Sequence, residues 1–412
     1  QGIMNDAERH KSGVHYTAHD DIMRVVGPTI VEPWRQRIRD AKSLSDLLDV
    51  RTALLRFRVL DPACGSGNFL YVAFRELYRL DTELIARIRE FPSTQGQGKA
   101  RVSWSAGIQT SNFFGIDINP FAVELAKVTL NIAKKIAFDE RRDTAADLDG
   151  QVELDVDPSL PLDNLDKNIV CADALFTEWP EVEAIVGNPP FMAGTNIKGE
   201  LGSSYAMRLR AAFEGVKGRA DYCSYWFRRT HDRLPSGGRA GLVATSGIRV
   251  GETREASLDY VCANGGTISN AVSSRVWPGD AAVDVAMVNW VNGPAEGPHV
   301  LIVENQVFEV RRIPTHLQLH SDVSVAKDIA ANLPRLAEGV QFGHASFRFP
   351  ASGIPAGLVR DTTVVRPVAT GDDLLRGRLS TTPDYCVDLR MADTEAAAQK
   401  LGGAAFRYLK QE

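Results

Sequence analysis

Apolar residues recur along this chain with two periods. Short runs bounded by turn formers alternate with longer stretches where apolar positions return every three or four residues. The short runs predict seven strands, at 58–61, 112–118, 168–175, 183–187, 239–246, 267–277 and 283–291. Between them, helical periodicity predicts helices at 43–57, 69–90, from Pro120 onward, 203–213 and 220–234. In the helix opening at Pro120, Ala122, Leu125, Ala126, Thr129, Leu130 and Ala133 form the inner face. Near the start, Ile22, Val25, Val26, Ile30, Val31, Trp34 and Ile38 form one stripe. Gly27-Pro28 interrupts it, which predicts two helices or one kinked helix. Strands alternating with helices predict an α/β fold with a doubly wound, mixed, seven-stranded sheet.

The ends of the strands carry the chemistry. Three end in aspartates, Asp61, Asp117 and Asp173, and a fourth runs into Asn188. Any one of these is an ordinary turn residue, but four in succession predict one shared cleft, because ligands of open α/β sheets bind at strand carboxyl ends. After Asp61 comes the glycine turn Pro62-Ala63-Cys64-Gly65-Ser66-Gly67-Asn68, then a helix. Its glycines let backbone approach a ligand, and the helix start favours an anion. The turn is neither the full dinucleotide fingerprint nor a P-loop, which would need a lysine. Asp61 at the strand tip suits a ligand with a positive group, and an acidic residue at the second strand end, Asp117, suits ribose hydroxyls. The fourth strand delivers Asn188-Pro189-Pro190-Phe191, which continues neither strand nor helix. An amide oxygen and a nearby carbonyl aimed at one point form a receptor for an amino group. The aromatic ring beside them is a stacking platform.

Composition narrows the picture a little. Apolar content of 44% and charged content of 24% are those of a globular protein. No apolar run reaches membrane-spanning length and no signal peptide opens the chain, so a cytoplasmic location and no membrane partner are expected. Cys64, Cys171, Cys223, Cys262 and Cys386 have no zinc-like or redox-like spacing, so free thiols and no metal are expected. Net charge is -5, yet residues 198–239 hold nine Lys/Arg against four Asp/Glu, a local +5 that leaves -10 elsewhere. That segment is either a phosphate-contacting surface or an ordinary solvated face. Residues 92–107 read as a surface insertion and 141–167 as an acidic, loop-rich stretch. From about Gly293 periodicity weakens, and Pro, Gly and Thr become frequent. The expected division is a helical segment at 1–57, the α/β domain at 58–295 and the beginning of another module at 296–412. The missing initiator Met and the short last module are expected of a fragment of a longer protein.

These motifs, in this order, resemble the gamma class of DNA amino-methyltransferases. Asp61 to Leu70 looks like the cofactor loop of bacterial adenine methyltransferases. Asn188 to Phe191 looks like their catalytic turn, where a terminal Tyr or Phe goes with adenine N6 and a leading Ser with cytosine N4. The upstream His15-Tyr16-Thr17 matches the segment that closes over the methionine end of S-adenosylmethionine. The resemblance implies a class I methyltransferase fold and a cofactor site of His15, Tyr16, Thr17, Asp61, Ala63, Gly65, Gly67, Asn68, Phe69, Asp117, Ile118, Asp173 and Ala174. It gives Asp117 to the ribose and Asp173 to the cofactor's adenine amino group. More narrowly, Gly199-Glu200-Leu201-Gly202, Arg219-Ala220-Asp221-Tyr222 and Trp277-Pro278-Gly279-Asp280-Ala281-Ala282-Val283 resemble type IIL restriction–modification enzymes. Members of that group carry a nuclease domain upstream and a target-recognition domain downstream, so the last module is expected to be an incomplete recognition module.

The expected reaction is methyl transfer to adenine N6 in double-stranded DNA, within a restriction–modification or phage-defence system. A duplex hides that nitrogen, so the base must be flipped into the cleft. The Asn188 oxygen and the Pro189 carbonyl then accept its two hydrogens. Pro190 stiffens the turn, and Phe191 stacks on the base. Trp277 covers the other face, unless it is simply a core residue. The competing readings are a cytosine-N4 or protein-glutamine methyltransferase, and a non-catalytic DNA-reading subunit with the same fold.

Overall fold

The computed structural model describes residues 19–91, 107–149, 162–277 and 283–319, with short stretches between 348 and 411. The chain forms two compact units, Gln1–Asp322 and Val323–Glu412.

In the first unit, helix α1 (His19–Val26) passes through a π-helical turn, Gly27–Val31, directly into α2 (Glu32–Asp40). The Gly-Pro interruption is thus absorbed as one wide turn, the single-turn form in which π-helix occurs inside α-helices. Helix α3 (Leu44–Arg56) starts at a capping box, in which Ser43 accepts from the Asp46 N–H and the Asp46 carboxylate accepts from the Ser43 N–H. Strand β1 (Val59–Asp61) follows, then α4 (Asn68–Arg89), β2 (Phe113–Asp117), α5 (Pro120–Asp149), β3 (Ile169–Cys171) and β4 (Ala184–Gly187). After β4 come α6 (Ile197–Leu201), α7 (Ser203–Ala212), α8 (Cys223–Arg233) and β5 (Arg239–Thr245). Helices α9 (Gly251–Arg254) and α10 (Tyr260–Ala263) flank a second π-helical turn, Glu255–Asp259. Strands β6 (Gly266–Val276), β7 (Asp284–Asn292), β8 (His299–Val303) and β9 (Gln306–Val310) complete the unit.

The sheet order is β3-β2-β1-β4-β5-β7-β6-β8-β9. The first five strands are parallel, and β7 runs antiparallel to both β5 and β6. The seven expected strands are therefore all present as a mixed sheet. Two more extend it: β8 pairs parallel with β6, and β9 returns as a hairpin through Glu304 and Asn305, both at positive φ. These strands lie past residue 295, where a separate module was expected to start. Leu301 is fully buried in the first unit's core, so His299–Val303 continues the sheet.

Alternate strand residues divide between two cores. Val59, Val186, Val243 and Met287 join the core beneath α1 to α5. Leu60, Ile185, Leu242 and Val288 join the core beneath α8 and the segment that follows β5. Helices on both faces make the sheet doubly wound.

Helix α5 outruns expectation. Part of the stretch read as acidic loop continues it to Asp149. Arg141, fully buried, pairs with Asp81 at 2.7 Å and lies 3.8 Å over the Tyr78 ring. Asp81 also binds Arg51 at 2.8 Å. Removing one partner of a buried ion pair leaves charge uncompensated and is strongly destabilising. Asp81→Asn is expected to cost about 3–5 kcal/mol in urea unfolding of the full chain. A cost below about 1 kcal/mol would mean that solvent, not Asp81, balances the two arginines.

In the second unit, β10 (Arg348–Phe349), β12 (Asp384–Val387) and β11 (Val365–Val368) form a small antiparallel sheet, with β12 central. Helices α11 (Glu395–Leu401) and α12 (Gly403–Gln411) follow it. Leu358, Val364, Val387 and Ala405 make its core.

Candidate functional site

Parallel neighbours end at the same edge of the sheet. The order β3-β2-β1-β4 therefore brings Asp173, Asp117, Asp61 and Asn188 to one edge, as the strand-end pattern predicts. Asp61 and Asp117 are the last residues of their strands, Asn188 follows β4 directly, and Asp173 stands just past β3.

Asp61 is fully buried. Its Oδ1 accepts from the Ala63 N–H at 3.0 Å, and its Oδ2 is buried with no hydrogen-bond partner among the described residues. Burial pushes its pKa up to about 8, opposed by the Ala63 bond and helped by the Asp117 charge. Such a carboxyl is protonated near neutral pH until a cation arrives. Strand β4 leaves room for it: a Cβ on Gly187 would lie 2.4 Å from Asp61 Oδ1. Gly187→Ala is expected to displace the Asp61 carboxyl, costing about 1–3 kcal/mol of stability by overpacking. Cofactor affinity should fall with it, readable by calorimetry beside thermal unfolding.

The glycine turn is held from both sides. Gly65 (φ 50°) and Gly67 (φ 85°) adopt left-handed conformations, and Gly67 caps α4. The Gly65 N–H donates to Asp117 Oδ2 at 2.8 Å, and the Asn119 N–H donates to Asp117 Oδ1 at 2.8 Å. Each oxygen keeps a free lone pair. Asn68 starts α4, half-buried, and Phe69 is buried beneath it. Cys64 within the turn is buried too, and burial raises its pKa well above the thiol range, so it is no nucleophile.

Beside this loop, Ile118 stands 73% exposed, an isolated apolar side chain with a free face. Asp173 is half-buried, its Oδ1 accepting from the Leu175 N–H at 3.0 Å, and Ala174 behind it is buried. Trp179 donates to the Ala174 carbonyl at 2.8 Å, which fixes this turn.

At the fourth strand end, the Asn188 side-chain oxygen is buried with no hydrogen-bond partner among the described residues. Pro189 is buried, Pro190 exposed, and Phe191 packs half-buried against both cores. A buried amide oxygen without a donor is costly, so its persistence marks a place kept for one. Trp277 is only 4% exposed and sits in the core under the N-terminal helices. In this conformation it has no free face for a base, which corrects the expectation of a second stacking wall. His15, Tyr16 and Thr17 lie outside the described residues, as do Pro278 to Ala282.

Two residues of this site escaped sequence reading. Trp226 had the look of core, and is buried, yet its indole N–H donates to the Pro62 carbonyl at 3.2 Å. Tyr205, on α7, meets the Tyr222 hydroxyl at 2.5 Å. The only advance signal was the crowding of aromatics around residues 222–227. Among the described residues no cluster of His, Cys, Asp or Glu could hold a metal, and no helix is long and apolar enough to cross a membrane.

The family model of the MmeI DNA-methyltransferase domain matches residues 36–296, well over half of the chain. The chain belongs to this family. The matched region runs from α2 to just past β7, so this DNA-methyltransferase domain contains the whole strand-end cluster. DNA methyltransferase A of Bacillus subtilis (strain 168) is 27% identical over 368 residues, which is 86% of this chain and 38% of that protein. The adenine-specific methyltransferase PglX of Streptomyces coelicolor is 35% identical over 104 residues, 25% of this chain and 8% of that protein. The solved structure of the type IIL restriction–modification enzyme MmeI in complex with DNA matches with a TM-score of 0.66 at 20% identity. That match covers all of this chain and 55% of the MmeI chain, and it establishes the shared mixed α/β fold. The MmeI-type domain seen here thus spans well under two thirds of the length of these relatives.

Proposed function

We propose that this domain methylates the N6 amino group of an adenine flipped out of double-stranded DNA, with S-adenosylmethionine as donor. The observation that carries this reading is the buried, unpartnered Asn188 oxygen at the end of β4, beside the half-buried Phe191 ring.

The residues present fit the donor. The free Oδ2 of Asp61, buried and raised in pKa, suits the cofactor's ammonium group. The spare lone pairs of Asp117 suit ribose hydroxyls, and Ile118 offers its exposed face to the adenine ring. Asp173 accepts from the adenine amino group, Ala63 to Phe69 shape the loop beneath the cofactor, and His15, Tyr16 and Thr17 close over its methionine end. When bound, the cofactor supplies a methyl group made electrophilic by its sulfonium.

The chain's own groups then orient the acceptor. The Asn188 oxygen and the Pro189 carbonyl each accept one N6 hydrogen. This would hold the amino group so that its nitrogen electron pair points toward the methyl, and the two oxygens would stabilise the positive charge gained by N6, as the methyl leaves the sulfonium, until one N6 proton is lost to solvent. Pro189 and Pro190 remove the backbone freedom that would blur this aim. Phe191 stacks on the extruded base and compensates part of the stacking lost from the duplex. Lys and Arg of the 198–239 segment contact the DNA phosphates. In the longer protein, a recognition module and a nuclease domain or subunit are the natural companions of such a domain, within a restriction–modification or phage-defence system of the bacterial cytoplasm.

The test is incubation of the full-length protein with unmethylated plasmid DNA and tritiated S-adenosylmethionine, followed by nucleoside analysis. Label in N6-methyladenosine is expected. Label in N4-methylcytosine, in protein, or nowhere would overturn the reading.

A further inference from the structure

We propose that Tyr222, working with Trp226 and Tyr205, is a positioning hub that sets the separation between the methyl-donor loop and the catalytic turn. This rests on the assignment of those two sites given above.

Three loops of the site converge on Tyr222. Its main-chain N–H donates to the Met192 carbonyl at 2.9 Å, one residue past Phe191. Its hydroxyl meets that of Tyr205 at 2.5 Å, and the Tyr205 ring meets Phe176, in the loop that follows Asp173, edge-on at 5.5 Å and 86°. Its ring meets Trp226 edge-on at 4.9 Å and 84°. The Trp226 indole N–H reaches the Pro62 carbonyl, between Asp61 and the glycine turn, at 3.2 Å. One residue thus holds the carbonyl just past the catalytic turn through its main chain, and reaches the two cofactor loops from its side chain through single intermediates.

The hub cannot drift. Tyr222 and Trp226 are 7% and 4% exposed, one helical turn apart at the start of α8, so both rings lie on one face. The stretch before them is anchored to the segment after β5. The Arg219 N–H donates to Glu252 at 2.8 Å, the Asp221 N–H donates to Thr253 at 3.0 Å, and the Thr245 hydroxyl donates to Asp221 at 2.9 Å. The loop leaving the catalytic turn is pressed on the same stretch: a Cβ on Gly194 would lie 2.4 Å from the Ala220 carbonyl oxygen.

Methyl transfer is steep in distance, so a misplacement of about 1 Å costs on the order of a hundredfold in rate. No group of the hub touches the reacting atoms. Its part is to fix where they sit, and the burial of Tyr222, which pushes its pKa up to about 12, keeps its hydroxyl neutral.

The experiment uses the full chain with Tyr222→Phe, Trp226→Phe and the double variant. The first cuts the hydroxyl link to Tyr205 and leaves the ring and the Met192 bond. The second cuts the link to Pro62. Thermal unfolding, calorimetric binding of S-adenosylhomocysteine and methyl transfer to plasmid DNA are read together. Each single variant is expected to stay folded, to bind the product cofactor about tenfold more weakly, and to lose about tenfold in kcat at saturating cofactor. The double variant should lose little more than the worse single, because the links act as one unit. A kcat within about twofold of wild type in both singles, or losses that multiply in the double, would overturn the hub. Should the wild type methylate no DNA, the site reading fails, and product-cofactor affinity alone judges the hub: affinities equal to wild type in both singles would sink it.

Discussion

Asn188→Ala is expected to abolish methyl transfer, with turnover down by at least about a thousandfold, while cofactor binding stays within about twofold of wild type. The split follows from the geometry. The amide stands at the end of β4, whereas the proposed cofactor contacts stand at the ends of β1, β2 and β3. Stability should move the other way. The Asn188 oxygen is buried with no donor, and removing such an atom relieves a desolvation penalty of about 1–3 kcal/mol. The alanine variant is therefore expected to melt at or above the wild-type temperature. A residue held only for packing would show a drop in stability with activity retained. Asn188→Asp keeps an acceptor at the same place and should retain more activity than the alanine variant. Near-normal turnover in Asn188→Ala would remove the basis for the catalytic turn.

Strand ends were the most legible part of the sequence. An aspartate or an Asn-Pro-Pro after a short apolar run has few structural options, so local chemistry was enough to place Asp61, Asp117 and Asn188. Gly187 was visible as a strand residue, but the need for glycine there comes from Asp61 on the adjacent strand, far away in sequence. Arg141 was misread for a related reason. A polar stretch reads as loop unless its partner is known, and the partner is Asp81 on another helix. The β8–β9 hairpin was assigned to a separate module because proline and glycine dominate the composition around it. Its edge pairing to β6 is a long-range fact that no local window contains. The sequence left Trp277 between a stacking wall and a core residue, and its ring is packed under the N-terminal helices. The aromatics at Tyr222, Tyr225, Trp226 and Phe227 have the composition of core, which conceals the hydrogen bonds that tie Tyr222 and Trp226 to the site.

Cofactor affinity should depend steeply on pH through Asp61. In the free protein, burial raises its pKa to about 8, so below that value the carboxyl is mostly protonated. A cationic partner requires the ionised form, and binding must expel that proton. Affinity is then expected to rise about tenfold per pH unit from pH 5 to about 7.5. Above about 8 the α-amino group of the cofactor loses its own proton, so affinity falls again and the profile is a bell. Asp61→Asn removes the acid limb of that bell, because no carboxyl remains to titrate. Near pH 8 the variant should bind on the order of a hundredfold more weakly, since a buried charge pair is replaced by a neutral contact. Stability supplies an independent sign. A carboxyl whose folded pKa lies above its unfolded value favours the folded state at low pH. That contribution is lost progressively as pH rises from about 4 to about 8. The free wild-type chain should accordingly lose stability across this window at the Asp61 site, and Asp61→Asn should flatten that part of the slope. Calorimetry in buffers of different ionisation enthalpy gives the decisive reading. Near pH 6.5, binding to wild type releases about one proton and binding to Asp61→Asn releases none. Equal proton release in the two proteins would take the cation-binding role away from Asp61.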